Sequence, residues 1–427
     1  MSLATLNELA YDTWEPGLNN QLEHEPGALY SFLSRNSSGV RGRKVYVKLQ
    51  TGRPTGVAQM DEGGNFPTAG DAIYDEVELA LKRIAATVEF TLEEMDLLDG
   101  SDAAALPVVE HKLTDIVDTL RRDIVRQSWS DGTAKIGRMS GTSTATTFTL
   151  QQTTTNQIDR DRNLWLEPYG MKIDLLHGTT GATSLTGLTV TGFNESTGVV
   201  TVSGGDPSTV DSSSHVVVRS GNGYASGGAY TSREFPGIMA AVDDGNTYLT
   251  LDRTTAGNEH WQSVVKDNSG TLRHMSLDLI LQLINSVTRR TGMTPRKDRY
   301  CFFSNLGVWS SYGEYIQPGV RYSPNDMLDV GWPELEIFGM PFYGDIHAPN
   351  NNLFLIDKTK FSYRRPKYED RGPFQFQNKD GSMFRYVPNA SSGYKGKVQS
   401  NLTGMLTLIT ERPNCHGRLD DLNEAGA

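Results

Sequence analysis

Apolar and polar positions alternate along KVYVKLQ, residues 44–50: Val45, Val47 and Leu49 share one face, Tyr46, Lys48 and Gln50 the other. A period of two marks a half-buried strand. In AIYDEVELALKRIAATVEF, residues 72–90, Val77, Leu79 and Leu81 alternate with Glu76, Glu78 and Lys82. Parity then flips to Ile84, Ala86, Val88 and Phe90. The flip predicts a bulge or a change of packing partner, because a one-residue slip swaps faces. Between the two runs, QTGRPTGVAQMDEGGNFPTAGDA (50–72) is glycine-rich, carries Pro54 and Pro67, and has no period. It predicts a long flap on a two-stranded ribbon. Such a ribbon is marginal alone in water, so it must lie on its own body or on a neighbour; the length of the flap favours the neighbour.

The strongest helical period is in 105–130, where Val109, Leu113, Ile116, Val117, Leu120 and Ile124 recur and Trp129 continues the stripe. Asp102 is a candidate cap, Pro107 suits the first turn and Gly132 ends the helix. With one apolar face, this rod of about 36 Å should pack on a sheet and expose its other side. From about 140 to 220, Ser, Thr and Gly dominate, and TTFTLQ, GMKIDLL, GLTVTGF, GVVTVS and HVVVRS alternate between turn clusters. Five short strands at this spacing predict a small β-barrel or sandwich, with a tight hairpin at FNESTGVV. Residues 235–350 read as mixed α/β. There, MSLDLILQLINSVTRRTG is a helix with Leu277, Ile280, Leu281, Ile284 and Val287 apolar, Asp278 in the first turn, Arg289 and Arg290 in the last, and Gly292 after the end. RYCFFSN is a buried strand, and more strands follow after 335.

Charge adds a second layer. Residues 1–34 hold five acids and no Lys or Arg; residues 35–53 hold six basic groups, among them Arg43, Lys44, Lys48 and Arg53, and no acid. The first segment reads as an acidic arm. The whole chain of 427 residues carries a net charge of −11, which argues against a dedicated DNA or RNA binder. Its two cysteines, Cys301 and Cys415, form no metal-ligating pattern and read as buried free thiols of a reducing compartment. The N-terminal sequence has no signal-peptide pattern, and no apolar run is long enough to span a membrane. The expected site of synthesis is a cytoplasm.

No phosphate loop, nucleophile elbow, HExxH or EF-hand loop occurs, and nothing calls for an enzyme, a cofactor or a metal. His24 reads as an exposed arm residue, and Glu93, Glu94, Asp96 and Asp99 as a solvated acidic turn. The basic run Lys358, Lys360, Arg364, Arg365 and Lys367 reads as an interface or solvated face, with weak nucleic-acid contact as the minor alternative.

The order of these parts resembles the major capsid protein of tailed bacteriophages, a fold also used by encapsulin shells. The resemblance rests on the acidic arm, on SGVRGRKVYVKLQTGRPTG and GGNFPTAGDAIYDEVELALKRIAATVEFTLEEM, on the long helix LPVVEHKLTDIVDTLRRDIV, and on the helix, strand and return from 235 to 363. It lies in order and texture, and leaves out about 140–220. It implies an α+β fold with an N-terminal arm at 1–38, an extended β-hairpin loop at 39–88, a peripheral domain with its spine helix at 89–139, an inserted β-barrel-like domain at 140–222, an axial domain at 223–350, and return strands at 351–427. The implied function is a structural, non-enzymatic subunit that assembles through pentamers and hexamers into an icosahedral head around double-stranded DNA, which it contacts weakly. Arg43, Lys44, Lys48, Arg53 and Phe66 of the extended loop would then touch a neighbour. Tyr312, Tyr315, Tyr322 and Trp332 in or beside 311–333 would meet at the capsomer axis.

The sequence lacks the long helical scaffolding segment that some relatives carry ahead of the arm, so a separate scaffolding protein is expected unless this sequence is already processed, together with a portal and a possible decoration protein. The flap tip has no Lys, which argues against the covalent Lys–Asn cross-links of some relatives. Two other functions fit parts of the sequence: an encapsulin-like nanocompartment shell, and a β-rich carbohydrate-binding protein built around 140–220.

Overall fold

The computed structural model describes residues 29, 32–91, 106–151, 170–194, 197–210, 215–316, 335–367, 374–376, 382, 384–388 and 394–424. His24 and the acids at 93, 94, 96 and 99 lie outside the described residues.

The ribbon forms as its period predicts. Lys44–Gln50 pairs antiparallel with Tyr74–Ala80, with Val45 opposite Leu79 and Val47 opposite Val77. The parity flip has a clear cause. After Ala80 the chain runs through Leu81 directly into the strand Lys82–Thr91, which leaves the ribbon and pairs with Tyr394–Thr410. Leu81 is 8% exposed and donates its N–H to the Arg43 carbonyl at 2.8 Å. A change of partner, not a bulge, swaps the faces.

Tyr394–Thr410 is a 17-residue strand shared by several neighbours. It pairs with Lys82–Thr91, Phe361–Arg364, Phe374–Phe376 and Phe384–Pro388, and Ser34–Asn36 adds parallel to Phe361–Arg364. The long helix Leu106–Trp129 lies in one core with this sheet: Leu113, Val117, Leu120, Ile124 and Trp129 cluster with Val88, Phe90, Val398, Leu402 and Leu406. The expectation that one side stays exposed fails over the last turns, where Arg126, Gln127 and Ser128 are buried too. The segment 234–241 crosses there. Gly237 comes so near that a Cβ would lie 2.4 Å from the Gln127 carbonyl oxygen and 2.5 Å from that of Ser130.

A second six-stranded sheet runs in the order Val264–Lys266, Gly417–Leu419, Leu353–Asp357, Tyr300–Ser304, Met340–Gly344, Leu335–Ile337. Its central strands are buried along their whole length because both faces are covered. Tyr300 and Phe302 face a core with the helices Leu277–Thr291 and Leu306–Ile316, while Cys301 and Phe303 belong to the core of the long helix. Both cysteines are buried free thiols, and burial pushes the Cys301 thiol up to about 12. Ser276 caps Leu277–Thr291 and Gly292 ends it in the left-handed region, φ 71°. Of its expected apolar stripe, Leu277 and Leu281 are 41% exposed, and Leu283 takes the buried position instead.

The Ser/Thr-rich stretch closes into a six-stranded barrel in the order Val199–Ser203, Thr147–Leu150, Lys135–Ser143, His215–Arg219, Lys172–His177, Thr183–Asn194, the last pairing back to the first. Phe148, Leu150, Ile173, Leu175, Leu188, Val190, Val200 and Val217 fill its interior. The sixth strand, Lys135–Ser143, has no clear period in the sequence, since its register shifts between Met139 and Ser143.

Candidate assembly surface

The root of the ribbon rests on its own body. Val45 and Leu81 cluster with Ile409, flanked by Val40, Val47, Leu249 and Met405. The Glu78 amide donates to the Thr250 hydroxyl at 3.4 Å, and Lys82 donates to the Ser232 carbonyl at 3.1 Å. Burial lowers the pKa of that lysine. Beyond Gln50 the ladder runs out. Thr51 N–H bonds Ile73 O at 2.9 Å, and the last cross-links are Gly52 to Ile73. Further out, the limbs still touch: a Cβ on Gly56 would sit 3.2 Å from Ala69 Cα, and one on Gly70 would strike the Thr55 hydroxyl. At both positions the limbs run so close that a side chain would crowd the opposite one. The tip is a turn in which Gly64 N–H bonds Asp61 O at 2.9 Å, with Gly63 at φ 80°.

Among the described residues nothing covers this flap. Val57 and Phe66 are each 88% exposed, Tyr74 is 72% and Ile73 64%. Full burial of such side chains contributes roughly 1.5–3 kcal/mol each. They are exposed apolar groups spread along a narrow stalk, the kind of surface expected of a contact site.

The charged candidates divide. Lys44 bonds Glu78 of the paired strand at 2.5 Å, and that hydrogen bond and charge raise its pKa. Lys48 is exposed and sits opposite Glu76 in register. Arg43 and Arg53 are exposed at the ribbon's lower end and at the start of the flap. Lys44 is therefore used within the ribbon, while Arg43, Arg53 and Phe66 face outward.

The axial set needs correction. Tyr312 is 3% exposed, packed edge-on against Phe342 at 5.6 Å, with its hydroxyl 3.5 Å from Glu336 O. It is a core residue, because the helix Leu306–Ile316 turns it inward with Val308. Tyr315 is 46% exposed. Tyr322 and Trp332 lie outside the described residues. The basic run 358–367 also changes character. Arg364 is 3% exposed and bonds Asn36, Glu411 and, at 2.9 Å, Ser38 O. It pins the strand Ser34–Asn36 and is unavailable to nucleic acid.

Sequence reasoning missed a buried charge cluster that ties the barrel to the long helix. Asp123 accepts from Arg126 at 2.9 and 3.1 Å, from Gln127 at 2.7 Å, and from Arg219 of the barrel. Arg126 also bonds Glu234, which accepts from Asn222 at 2.6 Å. Burial alone would push the Asp123 carboxyl up, but Arg126 and Arg219 outweigh it and hold it at about 2. No local period marks such a cluster: its bonded pairs are 3 to 108 residues apart.

Among the described residues no group of three or more His, Cys, Asp or Glu side chains is placed to hold a metal, and no helix is long and apolar enough to cross a membrane.

No family model and no curated protein matches the sequence. Solved structures do match. Against the cyanophage A-1(L) capsid asymmetric unit, the chain aligns with a TM-score of 0.53 at 11% identity, covering 93% of each chain. This chain has that capsid fold. Gordonia phage Cozz aligns at a TM-score of 0.43 and 12% identity, covering 93% of this chain and 87% of that one. The SrpI encapsulin complex of Synechococcus elongatus PCC 7942 aligns at 0.43 and 9%, covering 92% and 87%. The likeness to the cyanophage subunit carries the fold assignment, and it extends over nearly the whole of both chains.

Proposed function

We propose that this chain is the major capsid subunit of a tailed bacteriophage: a structural, non-enzymatic protein that assembles into the icosahedral shell of a virion around double-stranded DNA. One observation carries the reading. In a chain with the capsid fold, the flap stands clear of its own body, with Phe66 and Val57 88% exposed. Apolar groups so placed are stabilised only by a second molecule, and repetition of that contact closes a shell.

On this reading, residues 39–88 are the extended loop and the long helix is the spine of the peripheral domain. The second sheet, with its two helices, is the axial domain around which pentamers and hexamers form. The barrel is an insertion in the peripheral-to-axial connection, fixed to the spine by the Asp123 cluster. Arg43, Arg53 and Phe66 contact the neighbour, Lys48 borders that contact, and Tyr315 lies toward the axis. Scaffolding and portal proteins, and possible decoration, complete the head; synthesis is in the host cytoplasm.

The test is expression of the full chain, alone and with a scaffold, followed by electron microscopy and sedimentation. Closed particles built of pentamers and hexamers are expected. A persistent monomer under both conditions refutes the proposal. Shells purified with an enzyme cargo and no nucleic acid transfer it to a nanocompartment.

A further inference from the structure

Three stretches far apart in sequence meet at one end of the second sheet. Tyr300 lies opposite Asp357 in register, and the Lys358 N–H donates to the Arg299 carbonyl at 2.9 Å. The turn 296–299 is closed by the Arg299 and Tyr300 amides, which donate to the Arg296 carbonyl at 3.1 and 2.8 Å. Beside it, the turn 357–360 closes through the Lys360 N–H on the Asp357 carbonyl, and the Lys360 carbonyl accepts from the Glu411 N–H, both at 3.1 Å. Arg296, Lys297, Lys358, Lys360 and Arg412 are thereby gathered on two adjoining turns and the segment next to them.

The acids that would quench these cations are mostly spent. The Asp357 carboxylate is buried and accepts from Arg299 at 2.5 Å and from the Thr359 amide and hydroxyl at 2.9 and 2.7 Å. Glu411 pairs with Arg364. That leaves Asp298 against five cations in 296–299, 357–360 and 411–412. Among the described residues Arg296, Lys297, Lys358 and Lys360 make no ion pair; the first two are exposed and the last two half-buried. Unquenched like charges held together by the backbone repel one another until a polyanion arrives. We infer that this patch holds the phosphodiester backbone of the double-stranded DNA that the shell encloses. The inference rests on the shell reading, which supplies the DNA. The basic run of the sequence is thus split: Lys358 and Lys360 join 296–299, while Arg365, whose N–H bonds Asn36 O, lies at the far end of Phe361–Arg364. Contact is with phosphate and not with base edges, so it is blind to sequence. The net charge of −11 keeps it weak and dependent on salt.

The experiment titrates a fluorescent duplex of about 30 base pairs with unassembled full-length subunits and reads anisotropy from about 50 to about 200 mM NaCl. Four cations on four phosphates give a slope of about −3.6 in log affinity against log salt, a loss of roughly 100-fold across that range. Arg296→Gln, Lys297→Gln, Lys358→Gln and Lys360→Gln combined should weaken binding by about tenfold or more at the middle of the range and flatten the slope by about 3. A control that loses four cations on other elements, Arg83→Gln, Lys172→Gln, Lys367→Gln and Lys395→Gln, should stay within about twofold of wild type. A duplex of unrelated sequence should bind equally well. Circular dichroism checks folding; if the fourfold variant unfolds, Arg296→Gln with Lys297→Gln must flatten the slope by about 1.8. Equal weakening in patch and control variants, or no binding by wild type at the lowest salt, overturns this inference. Particles formed by the same wild-type subunits then leave the shell reading standing, and their absence removes both. Displacement of the duplex by inorganic phosphate at equal total phosphate and constant ionic strength assigns the patch to the free anion and overturns the DNA seat. Normal DNA binding by a patch variant that forms no particles refutes it in favour of a contact between subunits.

Discussion

Replacing Asp123 by Asn removes one charge from the cluster between barrel and long helix while keeping its shape. The carboxyl is held at about 2 against an ordinary 3.8. At 1.36 kcal/mol per pKa unit, its ionised form stabilises the fold by roughly 2 kcal/mol at neutral pH. The amide also faces the Gln127 side-chain N–H, which now bonds a carboxylate oxygen, so that bond is lost unless the glutamine turns. Asp123→Asn should therefore cost about 2–3 kcal/mol at pH 7. Because the folded pKa is depressed, the stabilisation is complete above about 4 and is lost as pH falls toward 2. At pH 3 about half of it remains in the wild type. Urea unfolding of unassembled subunits, followed by tryptophan fluorescence at pH 7 and pH 3, reads the difference; Trp129 ends the same helix. A gap between wild type and variant that is absent at pH 7, or equally large at both pH values, refutes the assignment of Asp123 as the charged centre of the clamp.

Three further outcomes are expected. Deleting residues 54–69 leaves the Thr51–Ile73 closure in place, so the subunit should elute and unfold as wild type but form no particles by electron microscopy. Gly237→Ala drives a methyl into three backbone carbonyls and should destabilise by about 3 kcal/mol, read as a lowered urea midpoint; a neutral result contradicts the close crossing. Arg364→Ala removes charged hydrogen bonds worth about 1.5–3 kcal/mol each and should free residues 34–38, seen as faster amide exchange there and not in the barrel.

Much of the fold is legible because period survives local reading. KVYVKLQ, the two long helices and five barrel strands announce themselves by spacing, and Asp278 and Gly292 mark the start and stop of Leu277–Thr291. What is lost depends on a partner far along the chain. The flip at Leu81 leaves two explanations until the partner strand Tyr394–Thr410 is known. Lys135–Ser143 hides its inward Ile136 and Met139 behind an irregular register. Arg364 and Tyr312 look like surface groups because nothing nearby in sequence reveals Asn36, Glu411 or Phe342. The flap itself is legible as an element, but which of its neighbours are apolar or charged is a property of two molecules.

At Leu81 one continuous backbone passes between two sheets with no loop to absorb rotation. The paired ribbon at the base of the flap is thus a lever on a fixed mount. To change its bearing, the protein must twist Lys82–Thr91 and, through ten paired positions, the 17-residue strand beside it. In a closed particle the angle between adjacent subunits would accordingly be written into each folded monomer, and any change of curvature would have to be a deformation of that sheet.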